Sequence, residues 1–433
     1  MHHVLRSAKR VVLTLALGAL VTAGGMGAAH ADPVLFLSTQ LTPSAEAAKM
    51  RGEILKDFPG EVIFQANDNN LIIRQVAGAD GPRAIAGLLG GTHSDFASLG
   101  EGGALSEVGD ALELVKGRGM AQRFIDLGKL GGDAQRYIPW MQATYLMAAD
   151  RRALKHLPEG ADINSLTYEQ LIAWGANIEA AVGEPKIGLP VGGGGLIHRF
   201  VQGYLYPSYT GGTVRGFRSP EALAMWDMMQ RLWKHVTPRS LGFASMDAPL
   251  TSGEVWVAWD HTARLKKALD AEPDRFVVFP APSGPKGRGF MAVIAGLGIP
   301  DNAPDRAASL ALLDHLTVSA TQATTMREVG FFPVVDLDAK ESLPAGLKLL
   351  SDAVTRQSSA PDALPVLLPM GLGDKGGDFS AVFTTAFSRI VLRGKDPVAV
   401  LDQQTEILQS MLAQTGAACW PPDAPSSGPC PVH

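Results

Sequence analysis

The chain has 433 residues, of which 46% are apolar and 19% charged, with a formal net charge of −5 and 10 histidines. The acidic balance argues against a nucleic-acid binder, which needs a basic face. With 2 cysteines in the whole chain and histidines scattered outside any ligand spacing, nothing indicates a disulfide scaffold, a metal site or a cofactor.

The first residues read as an export signal. Arg6, Lys9 and Arg10 form a basic start, 11–21 is an apolar run too short for a mature anchor, and Ala29-His30-Ala31 is a small-x-small cleavage site. Residues 1–31 are therefore expected to be a signal peptide cleaved after Ala31, delivering the protein to a bacterial periplasm. No cysteine follows the apolar run, so no lipid anchor is expected, and no later segment approaches the roughly 20 apolar residues of a membrane helix. The remaining 402 residues carry a net charge of −8 and exceed the size at which one core keeps growing, which favours two lobes.

Along the mature chain, 34–37 reads as a buried strand, 43–57 as a helix, 62–65 as a strand and 83–89 as a helix. The segment 70–76 fits helix or strand, and 94–99 reads as a strand ending in Gly100-Glu101-Gly102. This alternation predicts a doubly wound α/β sheet with helices on both faces. Ligands of such sheets sit outside the carboxyl ends of the strands, where Gln40, Asp95 and Glu101 fall. The alternative for the two acids is an ordinary loop cap or a solvated carboxylate. Thr167 with Gln170 completes a helix capping box, and 187–190 reads as a strand leading into a four-glycine run, Gly192 to Gly195. No Gly-Lys-Ser/Thr closes that run, so phosphate-loop chemistry is not indicated. Gly371-x-Gly373-x-x-Gly376 fits a dinucleotide fingerprint only formally, since it follows Pro365 and Pro369 near the chain end. Apolar spacing gives helices over 220–233, 305–316 and 397–412, with Met225, Trp226, Met228 and Met229 in the core. Cys419 and Cys430 are expected to form a local disulfide in a proline-rich tail, whose last dozen residues look otherwise disordered.

The most informative stretch is 250–300, LTSGEVWVAWDHTARLKKALDAEPDRFVVFPAPSGPKGRGFMAVIAGLGIP. Its order of Gly-Glu turn, apolar strand, helix, phenylalanine strand, P-x-P-x-G-P, apolar strand and G-x-x-I-P resembles the extracellular solute-binding proteins of ABC importers. Within them it is most similar to the sugar-binding branch, of the maltose and glycerol-phosphate type. The segment 137–154 resembles the first interlobe crossing of that family, Asp150-Arg151-Arg152-Ala153-Leu154 standing for its N-K-D-x-L element, and Gly330-Phe331-Phe332-Pro333-Val334 resembles the turn at a third crossing.

The resemblance implies a two-lobe periplasmic binding protein fold of type II, each lobe a mixed sheet flanked by helices, joined by several crossings. Lobe 1 would take residues 32–139 and 296–331, lobe 2 residues 140–295 and 332–415, with 416–433 as the tail. The implied function is the binding component of an importer: it captures a carbohydrate between the lobes and hands it to membrane permease subunits as a monomer, with no catalysis; the alternative is a scaffold or sensory partner that keeps the fold and presents its closed form to a receptor. Sequence motifs of hydrolases are absent; two carboxylates for a glycosidase exist in any chain of this size.

A sugar needs flat aromatic faces for its C–H patches and planar polar groups for its hydroxyls. Three clusters combine these: Trp140 with Gln142; His198 and Arg199 with Tyr204, Tyr206 and Tyr209; and Trp259, Asp260 and His261 with Arg264. Phe331, in the crossing turn, joins them. Of Trp256 and Trp259, three apart on a strand, Trp259 is the ligand candidate because it adjoins Asp260. If Arg199, Arg264, His198 and His261 converge without carboxylates, a sugar acid or phosphorylated polyol is favoured. If Asp260 and Glu101 neutralise them, they read neutral hydroxyls, which is the preferred expectation.

Overall fold

The structure, a computed structural model, describes residues 32–433 apart from 43, 68 and 339–341. The expected signal segment and its cleavage site lie outside the described residues. Strand β1 (Val34–Ser38) pairs in parallel with β2 (Val62–Ala66) on one side and with β3 (Leu88–Thr92) on the other. The sequences VLFLS and LLGGT lack polar alternation because β1 and β3 lie inside a sheet covered on both faces. Between them the chain is helical over Ser44–Lys49, widens into a π turn over Met50–Ile54, and is helical again over Asn69–Ala77.

Two expectations here are corrected. Residues 83–89 are not a helix, and 94–99 are not a strand: β3 occupies Leu88–Thr92 and a helix follows at His93–Glu101. Leu88 and Leu89 fill the core from a central strand. Gly90 belongs in it because a Cβ there would stand 2.8 Å from Ser38 Oγ. Thr92 then starts the helix, its hydroxyl accepting from Asp95 N–H while the Asp95 carboxylate accepts from Thr92 N–H at 2.8 Å.

Strands β4 (Ile138–Ala143) and β5 (Tyr145–Asp150) are separated by Thr144 alone, yet they belong to different sheets. Strands β6 (Ile187–Gly188), β7 (Val257–His261) and β8 (Phe276–Phe279) join β5 in the order β6-β7-β5-β8. Strand β9 (Arg288–Met291) leads into β10 (Val293–Gly298), which returns to the first sheet antiparallel to both β3 and β4. Strand β11 (Phe332–Pro333) adds to β4, giving the mixed order β11-β4-β10-β3-β1-β2, and β12 (Ala363–Val366) pairs with β9. This is a two-lobe α/β architecture with a mixed sheet in each lobe. The chain passes between sheets at Thr144, just before Val293 and after Pro333, so β4 and β10 run past the boundaries expected at 139/140 and 295/296.

The passage at Thr144 is tied to the second lobe by a buried polar knot. Thr144 Oγ1 donates to the Met291 carbonyl at 2.8 Å and accepts from Gln357 Nε2 at 3.1 Å. Gln357 Nε2 also donates to the Tyr145 carbonyl, and its Oε1 accepts from Ala281 N–H at 3.0 Å. Helices Tyr168–Val182, Pro220–Trp233 and Pro397–Thr415 pack into the large core of the second lobe, the first carrying the expected Thr167/Gln170 capping box.

The tail corrects another expectation. Far from disordered, residues 416–433 are docked on the second lobe, with Cys419 bonded to Cys430 and Trp420 buried against Phe379. The Asp423 carboxylate accepts from the N–H groups of Thr213 (2.7 Å), Val214 (2.9 Å) and Arg215 (2.9 Å), and Arg218 N–H donates to the His433 carbonyl.

Candidate ligand site

Antiparallel pairing of β5 with β7 sets Tyr145, the first residue after the Thr144 passage, opposite His261. The parallel pairing of β6 with β7 brings the Gly192 to Gly195 loop and the following turn, with His198 and Arg199, to the same end of the sheet. Helix Thr262–Ala271 starts there and carries Arg264. The loop is held by Gly192 N–H donating to Phe243, and a Cβ at Gly195 would stand 2.2 Å from the Pro190 carbonyl, so glycine is required.

The floor of this corner is aromatic. Tyr145 stacks on Trp259 at 4.9 Å with planes 6° apart, and Trp259 also meets Phe200 and Tyr204. His261 stands edge-on to Tyr145 at 5.1 Å and reaches Phe331, beside the third crossing, at 6.2 Å. His261 Nδ1 accepts from Ala263 N–H at 3.2 Å, which leaves its proton on Nε2. Burial, assisted by Arg264, depresses the His261 pKa to about 4; burial with both Arg199 and Arg264 depresses that of His198 to about 3. Both rings are therefore neutral at ordinary pH. Arg199 and Arg264 also act together on the Tyr145 hydroxyl, which burial pushes up.

Asp260 is fully buried and serves the backbone: its two carboxylate oxygens accept from Met246 N–H and His261 N–H, each at 2.8 Å. Burial pushes its pKa up to about 7. It makes no ion pair with Arg264, whose guanidinium instead donates to the carbonyls of Ala244 and Gly194. Among the described residues Arg199 donates to Gln202 Oε1 alone, at 3.5 Å.

The remaining expected site residues lie elsewhere. Trp140 is in the first-lobe core, 5.8 Å from Phe36, so it is not a stacking platform at a crossing; the clean hydrophobic environment of β4 draws it inward. Tyr204 is also a core residue, its hydroxyl donating to the Tyr145 carbonyl at 2.9 Å and accepting from Tyr145 N–H. Tyr206 stacks on Phe217 and donates to the Phe217 carbonyl, and is equally inaccessible. Trp259 has no exposed surface and forms the layer beneath Tyr145. Gln142 Nε2 donates to the Pro333 carbonyl, joining β4 to β11. Gln40 follows the carboxyl end of β1, half-buried, and donates to Thr39 Oγ1. Asp95 is a helix cap that also accepts from Thr39 Oγ1 at 2.7 Å. Glu101 closes the helix His93–Glu101, and its side chain lies outside the described residues. Tyr145 escaped the sequence reading; its place directly after the Thr144 passage, in register with His261, was the available signal.

A concavity of about 580 Å³ lies elsewhere, between helices Gly376–Phe387 and Pro397–Thr415. It lacks stacked aromatic rings, so volume does not mark the site.

Residues 64–323 match the family model of bacterial extracellular solute-binding proteins. No curated protein matches the chain by sequence. Among solved structures, the chain is similar to the sugar-binding protein MalE from Xanthomonas citri (15% identity, 88% of this chain and 98% of that one, TM-score 0.68). It is also similar to UgpB from Mycobacterium tuberculosis, solved with glycerophosphocholine (17% identity, 89% and 99%, TM-score 0.66). The GacH receptor of Streptomyces glaucescens, solved unliganded and with acarbose, is a third (14% identity, 88% and 98%, TM-score 0.65). At these identities the likeness is one of fold.

Proposed function

Because the chain belongs to the family of bacterial extracellular solute-binding proteins, we propose that it is the recognition component of an ABC importer for a carbohydrate or carbohydrate derivative. The exported, monomeric protein holds the solute between its lobes and delivers it to membrane permease subunits. It hydrolyses nothing itself. The observation that carries this reading is the corner where Tyr145, layered on Trp259, meets His198, Arg199, His261 and Arg264 beside the chain passages. Ring faces suit sugar C–H patches, and planar donors suit hydroxyls and their anionic substituents.

We divide the lobes where the sheets divide, at Thr144, between Met291 and Val293, and after Pro333. Solute touching both lobes favours the closed form by its differential affinity. A thermal-shift screen against monosaccharides, disaccharides, sugar acids and polyols tests the proposal. A ligand at 100 times its Kd adds about 2.7 kcal/mol, and X-ray scattering of the same sample contracts as the lobes close. A panel that leaves both melting and scattering unchanged refutes it.

A further inference from the structure

We propose that the carbohydrate-like solute carries an oxyanion, a carboxylate or phosphate, seated between Arg199 and Arg264 over the Tyr145 ring. The inference deepens the reading above and rests on it.

Several arginines elsewhere in the molecule are matched by an acid. Arg83 pairs with Asp301, Arg231 with Glu169 and Arg306 with Asp110. Arg199 and Arg264, by contrast, pair with no carboxylate among the described residues. Arg199 has one long bond to an amide oxygen, and Arg264 is anchored through two backbone carbonyls, which fix its position without a carboxylate partner. Of the acids here, Asp260 is buried and turned to backbone N–H groups, and Asp247 pairs with Lys267 and accepts from Ser245 Oγ.

Arg264 reaches the Gly194 carbonyl, in the loop that leads into the turn of His198 and Arg199, and both guanidinium groups, with Asp260, bear on the Tyr145 hydroxyl. Two like charges gathered in a half-buried corner, neither of them ion-paired, repel one another, and an arriving oxyanion relieves that repulsion. Neutral donors complete the set. His261 presents its Nε2 proton, and the N–H groups of Gly193 and Gly194 have no protein acceptor among the described residues. An oxyanion takes donors only, and Arg199, Arg264 and the His261 Nε2 proton supply them.

The test is titration calorimetry of the purified protein with matched pairs: glucose against glucuronate and glucose 6-phosphate, and glycerol against glycerol 3-phosphate. The expected result is that an anionic probe binds and its neutral partner binds at least about 10-fold more weakly, as for loss of a charge-assisted bond. Arg199→Ala then weakens the anionic probe by about 10- to 100-fold and Arg199→Lys by less, with melting temperature and far-ultraviolet dichroism unchanged. Preference between the carboxylate and phosphate probes identifies the group. If a neutral sugar binds and its acid or phosphate binds no better, or if Arg199→Ala leaves anion affinity intact, the inference is overturned and the sugar-binding reading stands. If no probe of either kind binds, both fall.

Discussion

Replacing Asp423 by alanine should cut the tail loose from the second lobe. The side chain is nearly fully buried and accepts three backbone N–H bonds, from Thr213, Val214 and Arg215. Bonds to a charged acceptor contribute about 1.5–3 kcal/mol each, and an orphaned buried donor costs a similar amount. Water reaching the Arg215 end restores part of this, leaving a loss of about 3 kcal/mol. With an unfolding entropy of about 2.1 cal/mol/K per residue, that loss lowers the melting temperature by about 4 °C if about 400 residues melt together, and by about 7 °C if a lobe of about 200 melts alone. Scanning calorimetry measures the shift, and Trp420 fluorescence reports release of the tail. Asp423→Asn keeps an oxygen for two of the donors and should cost roughly half as much. A shift below about 1 °C for the alanine variant, or an equal shift for both, refutes the anchoring role.

Gln357→Leu removes the amide from the knot and strands the buried Ala281 N–H, so stability should fall by about 3 kcal/mol in urea titration; a change within error would mean the knot is redundant. Trp140→Ala and Trp259→Ala should each destabilise by about 3–5 kcal/mol as buried aromatics, but only Trp259→Ala, which undermines Tyr145, should also abolish ligand-induced stabilisation in thermal shift. Burial raises the Asp150 carboxyl, but hydrogen bonds from Arg152 and Arg275 outweigh that and hold its pKa near 2, below the ordinary 3.8. The folded value is depressed, so its contribution, about 2 kcal/mol, is complete above about pH 4 and lost as pH falls through 2. Asp150→Asn should flatten that part of the acid-unfolding profile.

Local signals carried much of the architecture. The helix Pro220–Trp233 and the Thr167 cap appear where spacing and capping chemistry put them, because both depend on residues within a few positions. The stretch 83–101 was misread because a central strand of LLGGT has neither alternation nor β-branched bulk until Thr92; its identity comes from flanking strands distant in sequence. The Thr92/Asp95 capping box was visible in the residues and marked the helix start. At the candidate corner, residue type picked out His198, Arg199, His261 and Arg264, which strand pairing sets at one end of the second sheet. It did not separate ligand-facing rings from core rings: Trp140, Tyr204 and Tyr206 have the same chemistry whichever way they point, and strand pairing decides which way that is.

The knot at Thr144 dictates where any opening and closing can bend. Met291 and Gln357 grip the residue between the two sheets from the second-lobe side, so that lobe carries Thr144 along as rigid cargo. Torsional give must then come from the neighbouring peptides toward Ala143 and Val293, at the rim of the other half. If the lobes close as proposed, the pivot lies off-centre and the stacked Tyr145 platform travels with its own lobe.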